Sequence, residues 1–426
     1  MKRIVFFALI LISTNASAQL LIDLYKKGTV KLIPESNYGT GNDWNTIFES
    51  YNDYYESAYG RKSPVGDRMS IIMMPDGSII VNQPSRKFQS RFDPNGKYVK
   101  NFSISNNSGK SIGSNKIIQG VINNNFYTGA DNTGKITCCD FDGNYVKTLT
   151  LNYMIKDMIP LKNNKLAVSG ISIWKDKTRR FVSIVDYNTN KEKIIWDSFS
   201  ADADAIVFDS SREVTKAQIL EWSKVPPYDI SYFYDRVFAE TPIVQFSNDL
   251  LVVALPASGE IKMYNIDGKL QRIVEPEWKA ESVSPEEQKN LLRTGIDKYK
   301  ATPLTDKVSE KEATEARKQV LEILNEALNK IDKKIVLPVF SNVLKDSDGN
   351  LLFFEFPKEK GGNKFNVWIF REGGKFECQS SFECDDYELS ITPSKMIFHK
   401  GYIYALQKAK NAQNIPLRLV KFRVSN

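Results

Sequence analysis

Histidine is nearly absent: His399 is the single imidazole in 426 residues. That scarcity excludes a multi-His metal centre and allows a Ser-His-Asp arrangement through one residue only. Cysteine is also sparse. Four in a chain of this length form no disulfide framework. Cys138 and Cys139 are neighbours on an expected strand and should face opposite ways, whereas Cys378 and Cys384 could meet across a loop in an oxidising compartment. After residue 18 no apolar run approaches the roughly 20 residues that a membrane-crossing helix needs. A net charge of +7 is too mild to imply a nucleic-acid partner.

The N-terminal residues read as a targeting segment. Lys2 and Arg3 precede the apolar run Ile4–Ile12, and Ala16-Ser17-Ala18 supplies a small-residue cleavage signal. Residues 1–18 are therefore expected to be a signal peptide, with residues 19–426 forming one domain. Loss of Lys2 and Arg3 takes the charge from +7 to +5. The mature chain should be exported and soluble, in the periplasm or outside the cell.

The remainder is organised by paired turns. Gly77 and Gly96 lie 19 residues apart, as do Asn124 and Gly143, and Asn248 and Asp267. Short runs rich in Val, Ile, Phe and Tyr flank each turn. Short strands and Gly/Asn turns recurring at about 40 to 50 residues define a β-propeller. Assigning four antiparallel strands to each unit gives an all-β, six-bladed propeller. Its first turns join strands one and two, at Asp76-Gly77, Asn163-Asn164, Asn248-Asp249, Asp348-Gly349 and Lys400-Gly401 among others. Its second turns join strands three and four, at Asn95-Gly96, Asp142-Gly143, Asp267-Gly268 and Gly373-Gly374. Type I′ hairpin geometry, with positive φ at both central residues, would explain these pairs. The last blade runs out of chain after residues 418–424, so residues 29–33 are expected to close it and remove an exposed edge.

The segments Arg91–Lys100 (RFDPNGKYVK) and Cys139–Lys147 (CDFDGNYVK) resemble the second turn of NHL-type repeats. The whole chain is similar to exported bacterial six-bladed β-propeller proteins that carry such repeats. That resemblance implies the fold; related propellers include lactonases, lyases and non-catalytic binding proteins, so it does not choose an activity. Lactonase-type propellers hold a divalent cation in the central channel, but no residue of this chain can be matched to those ligands.

Long insertions at about 37–68, 200–241 and 276–334 each follow the fourth strand of one blade. They should decorate a single face, opposite the tight turns. In the third, Ser284 begins a capping box with Pro285 behind it, and a second helix near residue 309 carries Val320, Ile323, Leu324, Leu328 and Ile331 on one side. Such a hairpin could be a lid, a partner-binding arm or a strut. In the first, Trp44, Phe48, Tyr51, Tyr55 and Tyr59 share helical spacing, either as a sugar-stacking platform or as a packing stripe. The loops between strands two and three are basic, with Arg86, Lys175, Arg179 and Arg180 among their cations, which would attract an acidic polysaccharide. Asp202, Asp204 and Asp209 give only a weak cation signal, and Asp346–Asn350 reads as a hairpin turn rather than a calcium loop, since its glycine is misplaced.

The expectation is thus an exported, non-enzymatic propeller binding a glycan or a cell-envelope protein through Trp44, Tyr51, Tyr55, Arg86, Lys175, Arg179 and Arg180. It needs no resident metal or cofactor. The alternatives are a lactonase- or lyase-like enzyme with a channel cation, and an interaction scaffold using the helical hairpin.

Overall fold

The computed structural model describes residues 21–48, 54–56, 62–64, 69–83, 88–104, 117–122, 125–130, 134–174, 177–199, 241–279, 281–304, 306, 308–356, 364–388, 396–409 and 417–425. The described chain is mostly β, with few helices. Its strands form consecutive four-stranded antiparallel meanders. The first comprises Ser70–Met73, Ile79–Gln83, Phe88–Phe92 and Tyr98–Phe102; the second Ile117–Ile122, Asn125–Ala130, Lys135–Cys139 and Tyr145–Thr150. The third comprises Met154–Pro160, Lys165–Trp174, Lys177–Asp186 and Glu192–Asp197; the fourth Ile243–Ser247, Leu250–Ala254, Ile261–Tyr264 and Leu270–Val274. The fifth contains Asn342–Lys345, Leu351–Phe354, Lys364–Arg371 and Lys375–Glu383.

The terminal meander joins the two ends of the chain. Met396–His399, Tyr402–Ala409 and Arg418–Ser425 pair in order, and Thr29–Pro34 adds antiparallel to the last of them, with Leu32 opposite Val424. The same segment also lies parallel to the outer strand of the fifth meander, with Val30 opposite Phe382. The fifth and terminal meanders are thereby fused into one nine-stranded sheet. The expected closure did not include this second seam.

Strand composition follows position. Ile79–Gln83 is buried at every residue, because an inner strand is covered on both faces by neighbouring sheets. The outer strand Tyr98–Phe102 has three exposed residues out of five. The apolar clusters lie between successive meanders: Ile80 with Cys139, Tyr127 with Phe181, Val182 with Val253, Met263 with Phe353, and Phe354 with Phe422. A further cluster joins Leu406 and Leu419 of the terminal meander to Ile79 and Phe92 of the first. The innermost strands are likewise neighbours in turn, and Met396–His399 returns to Ser70–Met73. The arrangement is radial and propeller-like.

Two kinds of turn recur on the tight face among the described residues. Asn163-Asn164, Asn248-Asp249 and Lys400-Gly401 have positive φ at both positions, as the type I′ reading expects. The Asp-Gly and Asn-Gly turns differ: only the glycine is left-handed, and it follows a type I turn. Gly96 N donates to Asp93 O and Asp93 N to Lys97 O, and the same pattern recurs around Gly77, Gly143, Gly268 and Gly349. In four of these turns a side chain completes the loop. Oδ1 of Asp93, Asp140, Asn265 and Asp346 accepts backbone N–H groups two and four residues on, at 2.9 to 3.1 Å. Each such bond contributes roughly 0.5–1.5 kcal/mol.

The cysteines are free. Cys138 and Cys139 enter different clusters, on opposite faces of their strand. A Cys378–Cys384 bridge does not fit, because Cys378 lies within Lys375–Glu383 and Cys384 just past its end. Six residues of extended chain place them roughly 20 Å apart. Among the described residues, no helix is long and apolar enough to cross a membrane.

Candidate functional site

The insertions begin and end at one end of the sheets, because a four-stranded meander starts and finishes on the same side. Their roots are built from side chains that the sequence marks as candidates. In the third meander the two ten-residue strands Lys165–Trp174 and Lys177–Asp186 are longer than the strands of the first and second meanders. Arg179 and Arg180 lie near their far end and are both buried. Nε of Arg179 donates to both oxygens of Asp197 at 2.9 Å, Nη2 adds a further contact, and the guanidinium lies 5.6 Å from the centre of the Phe181 ring. Asp197 also accepts from Phe199 N at 3.0 Å. Arg180 N donates to Ser198 Oγ at 2.9 Å, and Ser198 N returns a bond to Arg180 O. Both arginines therefore anchor the root of the second insertion. Arg86, Lys175, Asp202, Asp204 and Asp209 lie outside the described residues.

The aromatic stripe does not form a helix. Asp43 caps a helix of only four residues, Trp44–Ile47, and Tyr55 lies instead on a short strand, opposite Ser63. Tyr51 and Tyr59 lie outside the described residues. Helical spacing over so few turns did not outweigh packing between the sheets. Trp44 stacks on Phe48 and Phe92 at 5.8 Å, and Phe48 is fully buried among Ile71, Ile79, Leu406 and Leu419. Residues 38–48 thus fill the wedge between the first and terminal meanders. They also reach the tight-turn face, where Gly39 N donates to Asn95 O and Tyr38 covers Gly96. The first insertion therefore does not lie wholly on one face, as its position in the strand order suggests.

The third insertion is a helical arm. The helix α1, Pro285–Ala301, starts at Ser284, whose side chain accepts from Glu287 N; α2, Glu310–Asn329, starts with a complete capping box between Ser309 and Glu312. Leu292, Ile296 and Tyr299 of α1 meet Val320 and Leu324 of α2, and the partly buried residues packed on this cluster also belong to the arm. Arg317 Nη2 closes the tip by donating to Thr302 O and Pro303 O at 2.6 and 3.0 Å. At the base, Ser282–Val283 pairs with Ile335–Val336, and Gln288 donates to Val283 O and Lys333 O. Trp278 ties this base to the ring. Its Nε1 donates to Gly259 O at 2.7 Å, and it packs against Phe340 and Trp368. Among the described residues, the apolar side of the arm packs within the arm and its base. The sequence offered no periodic signal for Trp278.

Two carboxylates elsewhere, Asp157 and Asp346, are engaged in structure. Asp157, on an inner strand beside a bulge, accepts from Met158 N and Val244 N. His399 ends an inner strand at the Lys400-Gly401 turn, and burial, then the Lys400 charge, holds its pKa down. Asp346–Asn350 is a hairpin turn; burial raises the Asp346 pKa against the hydrogen bonds it accepts from Asn350, Asp348 and Tyr25. Among the described residues, no group of three or more His, Cys, Asp or Glu side chains is placed to hold a metal ion.

No protein-family model matches this sequence, and no curated protein does. Similar solved structures include a DUF4221 family member from Bacteroides vulgatus, at 11% identity, 94% coverage of this chain, 99% of that one and a TM-score of 0.49. A catalytically inactive virginiamycin B lyase from Staphylococcus aureus, bound to quinupristin, gives 9% identity, 93% and 99% coverage and a TM-score of 0.40. BamB from Moraxella catarrhalis gives 10% identity, 85% coverage of each chain and a TM-score of 0.32. Likeness this low leaves the architecture resting on strand order, register and the clusters between sheets.

Proposed function

We propose that this chain is an exported six-bladed β-propeller that binds a protein of the cell envelope, using the face that bears the insertions and the helical arm as its main contact. The count of six rests on the inner strands and on the apolar wedges, each shared by two successive meanders. Export rests on the basic, apolar and small-residue pattern of residues 1–18.

The helical arm carries the functional reading. A segment with its own apolar seam, its own capped helix starts and a two-stranded base adds a stable surface without filling the sheet cores. Its outward positions are charged or polar, including Glu286, Arg293, Asp297, Lys318 and Glu322. Such charges suit the polar rim of a contact and the electrostatic steering of its partner. Tyr51, Tyr55, Arg86 and Lys175 are proposed as accessory contacts of the same face, while Trp44, Arg179 and Arg180 hold its frame. A glycan ligand would draw on the same accessory residues. It has less support, since the aromatic residues do not share a helix and Arg179 is paired.

Photo-cross-linkers placed at Lys318 and Glu322, and for comparison at Asp142 on the tight-turn face, test this in purified full-length protein added to envelope fractions. The expected result is one discrete partner captured from the arm positions, competed by unlabelled protein and lost when the Leu292–Leu324 seam is broken by charge. Capture from Asp142 alone, or binding to acidic polysaccharide that survives arm disruption, would overturn the reading.

A further inference from the structure

We propose that residues 21–34 form a reversible electrostatic clasp that joins the fifth and terminal meanders and opens as a unit, independently of the rest of the ring. Two seams define it. On one side, Lys31 to Pro34 pair antiparallel with Phe422 to Ser425, and Glu35 N donates to Lys421 O at 2.9 Å. On the other, Thr29 to Lys31 run parallel to Ser381 to Glu383, and Ser381 N donates to Gly28 O at 2.9 Å. The parallel seam is short, with three residue pairs, and parallel pairing is slightly weaker per residue.

Side chains reinforce that weaker seam. Lys26 Nζ meets Glu377 at 3.2 Å, Lys31 Nζ meets Glu383 at 2.7 Å, and the fully buried Tyr25 donates to Asp346 Oδ2 at 3.1 Å. Ile22, Tyr25, Val30 and Leu32 supply the apolar grip. The seat on the fifth meander stays satisfied when the clasp leaves. Glu377 keeps Arg371 at 3.3 Å and Lys375 at 3.5 Å, and Glu383 keeps Lys364 at 2.8 Å. Asp346 keeps the N–H groups of Asp348 and Asn350 and the Asn350 amide. Opening therefore strands no buried carboxylate, which is the term that normally makes breaking a buried ion pair costly.

Amide hydrogen exchange on the full-length protein tests this, because the Ser381 and Glu35 amides report the two seams directly. In Lys26→Glu/Lys31→Glu, both amides should exchange at least about tenfold faster, while Ile79–Gln83 and Leu250–Ala254 stay unchanged. Adding Glu377→Lys/Glu383→Lys should restore slow exchange at Ser381. The unmodified protein gives a second arm that does not depend on a variant folding: raising salt from about 0.05 to about 0.5 M should accelerate both reporters selectively, because the lysine ends of both ion pairs reach solvent and are screened. Unchanged exchange at Ser381, or equal acceleration in the first and fourth meanders, would overturn the proposal.

Discussion

Replacing Phe48 with alanine tests whether residues 38–48 close the ring from inside. Phe48 is completely buried, stacked near-parallel to Trp44 and 6.0 Å from the Phe92 ring, in a cluster that joins the terminal meander to the first. Truncating a buried Phe costs about 3–5 kcal/mol, combining lost transfer energy with the cavity left behind. Trp44 is only partly buried, so its replacement should cost less, about 2 kcal/mol. Because the rings stack, the double variant should fall short of the sum by about 0.5–1.5 kcal/mol. Denaturant unfolding followed by far-UV dichroism and tryptophan fluorescence gives the four stabilities. A Phe48→Ala loss under about 1 kcal/mol would refute the wedge, and strict additivity would refute the stack. If Trp44 instead served a sugar platform, its removal would abolish glycan binding and leave stability nearly unchanged.

Other expectations follow from the same contacts. Gly96→Ala should destabilise more than Gly401→Ala. Both have positive φ, costing about 1 kcal/mol for alanine, but a Cβ at Gly96 would lie 2.6 Å from the Tyr38 ring, whereas Gly401 faces open space; thermal melts compare them. Arg179→Ala should cost about 3 kcal/mol, because it leaves Asp197 partly buried without its partner, and limited proteolysis should then cut sooner beyond Phe199. On the acid side, hydrogen bonds from Lys31 and then Lys364 lower the Glu383 pKa. That stabilisation is complete above the unfolded glutamate value of about 4.3 and is lost as pH falls through the lower folded value. Glu383→Gln should therefore flatten the acid limb of a stability profile. Asp346 has the opposite sign: burial raises its pKa, so its contribution is full below about pH 3.9 and declines as pH rises through the folded value.

The sequence by itself determined the strand-and-turn framework. The Asn-Asn, Asp-Gly and Lys-Gly pairs mark hairpins because few residues tolerate positive φ, and that constraint is local. Opposite facing of Cys138 and Cys139 follows from the two-residue period of a strand, and the cap at Ser284 from the unsatisfied N–H groups at a helix start. The missing outer strand of the terminal meander was also legible, as a count of strands.

Tertiary structure decided what spacing cannot encode. Trp44, Phe48 and Tyr55 share a helical period, yet the helix ends at Phe48 and Tyr55 lies on a strand, because burying the Phe48 ring between two sheets outweighs a few turns of propensity. Arg179 reads as a surface cation until Asp197, 18 residues on, is brought beside it. Tyr25, Lys26 and Lys31 carried no motif. Their partners Asp346, Glu377 and Glu383 lie more than 300 residues away in sequence, and only ring closure sets them side by side.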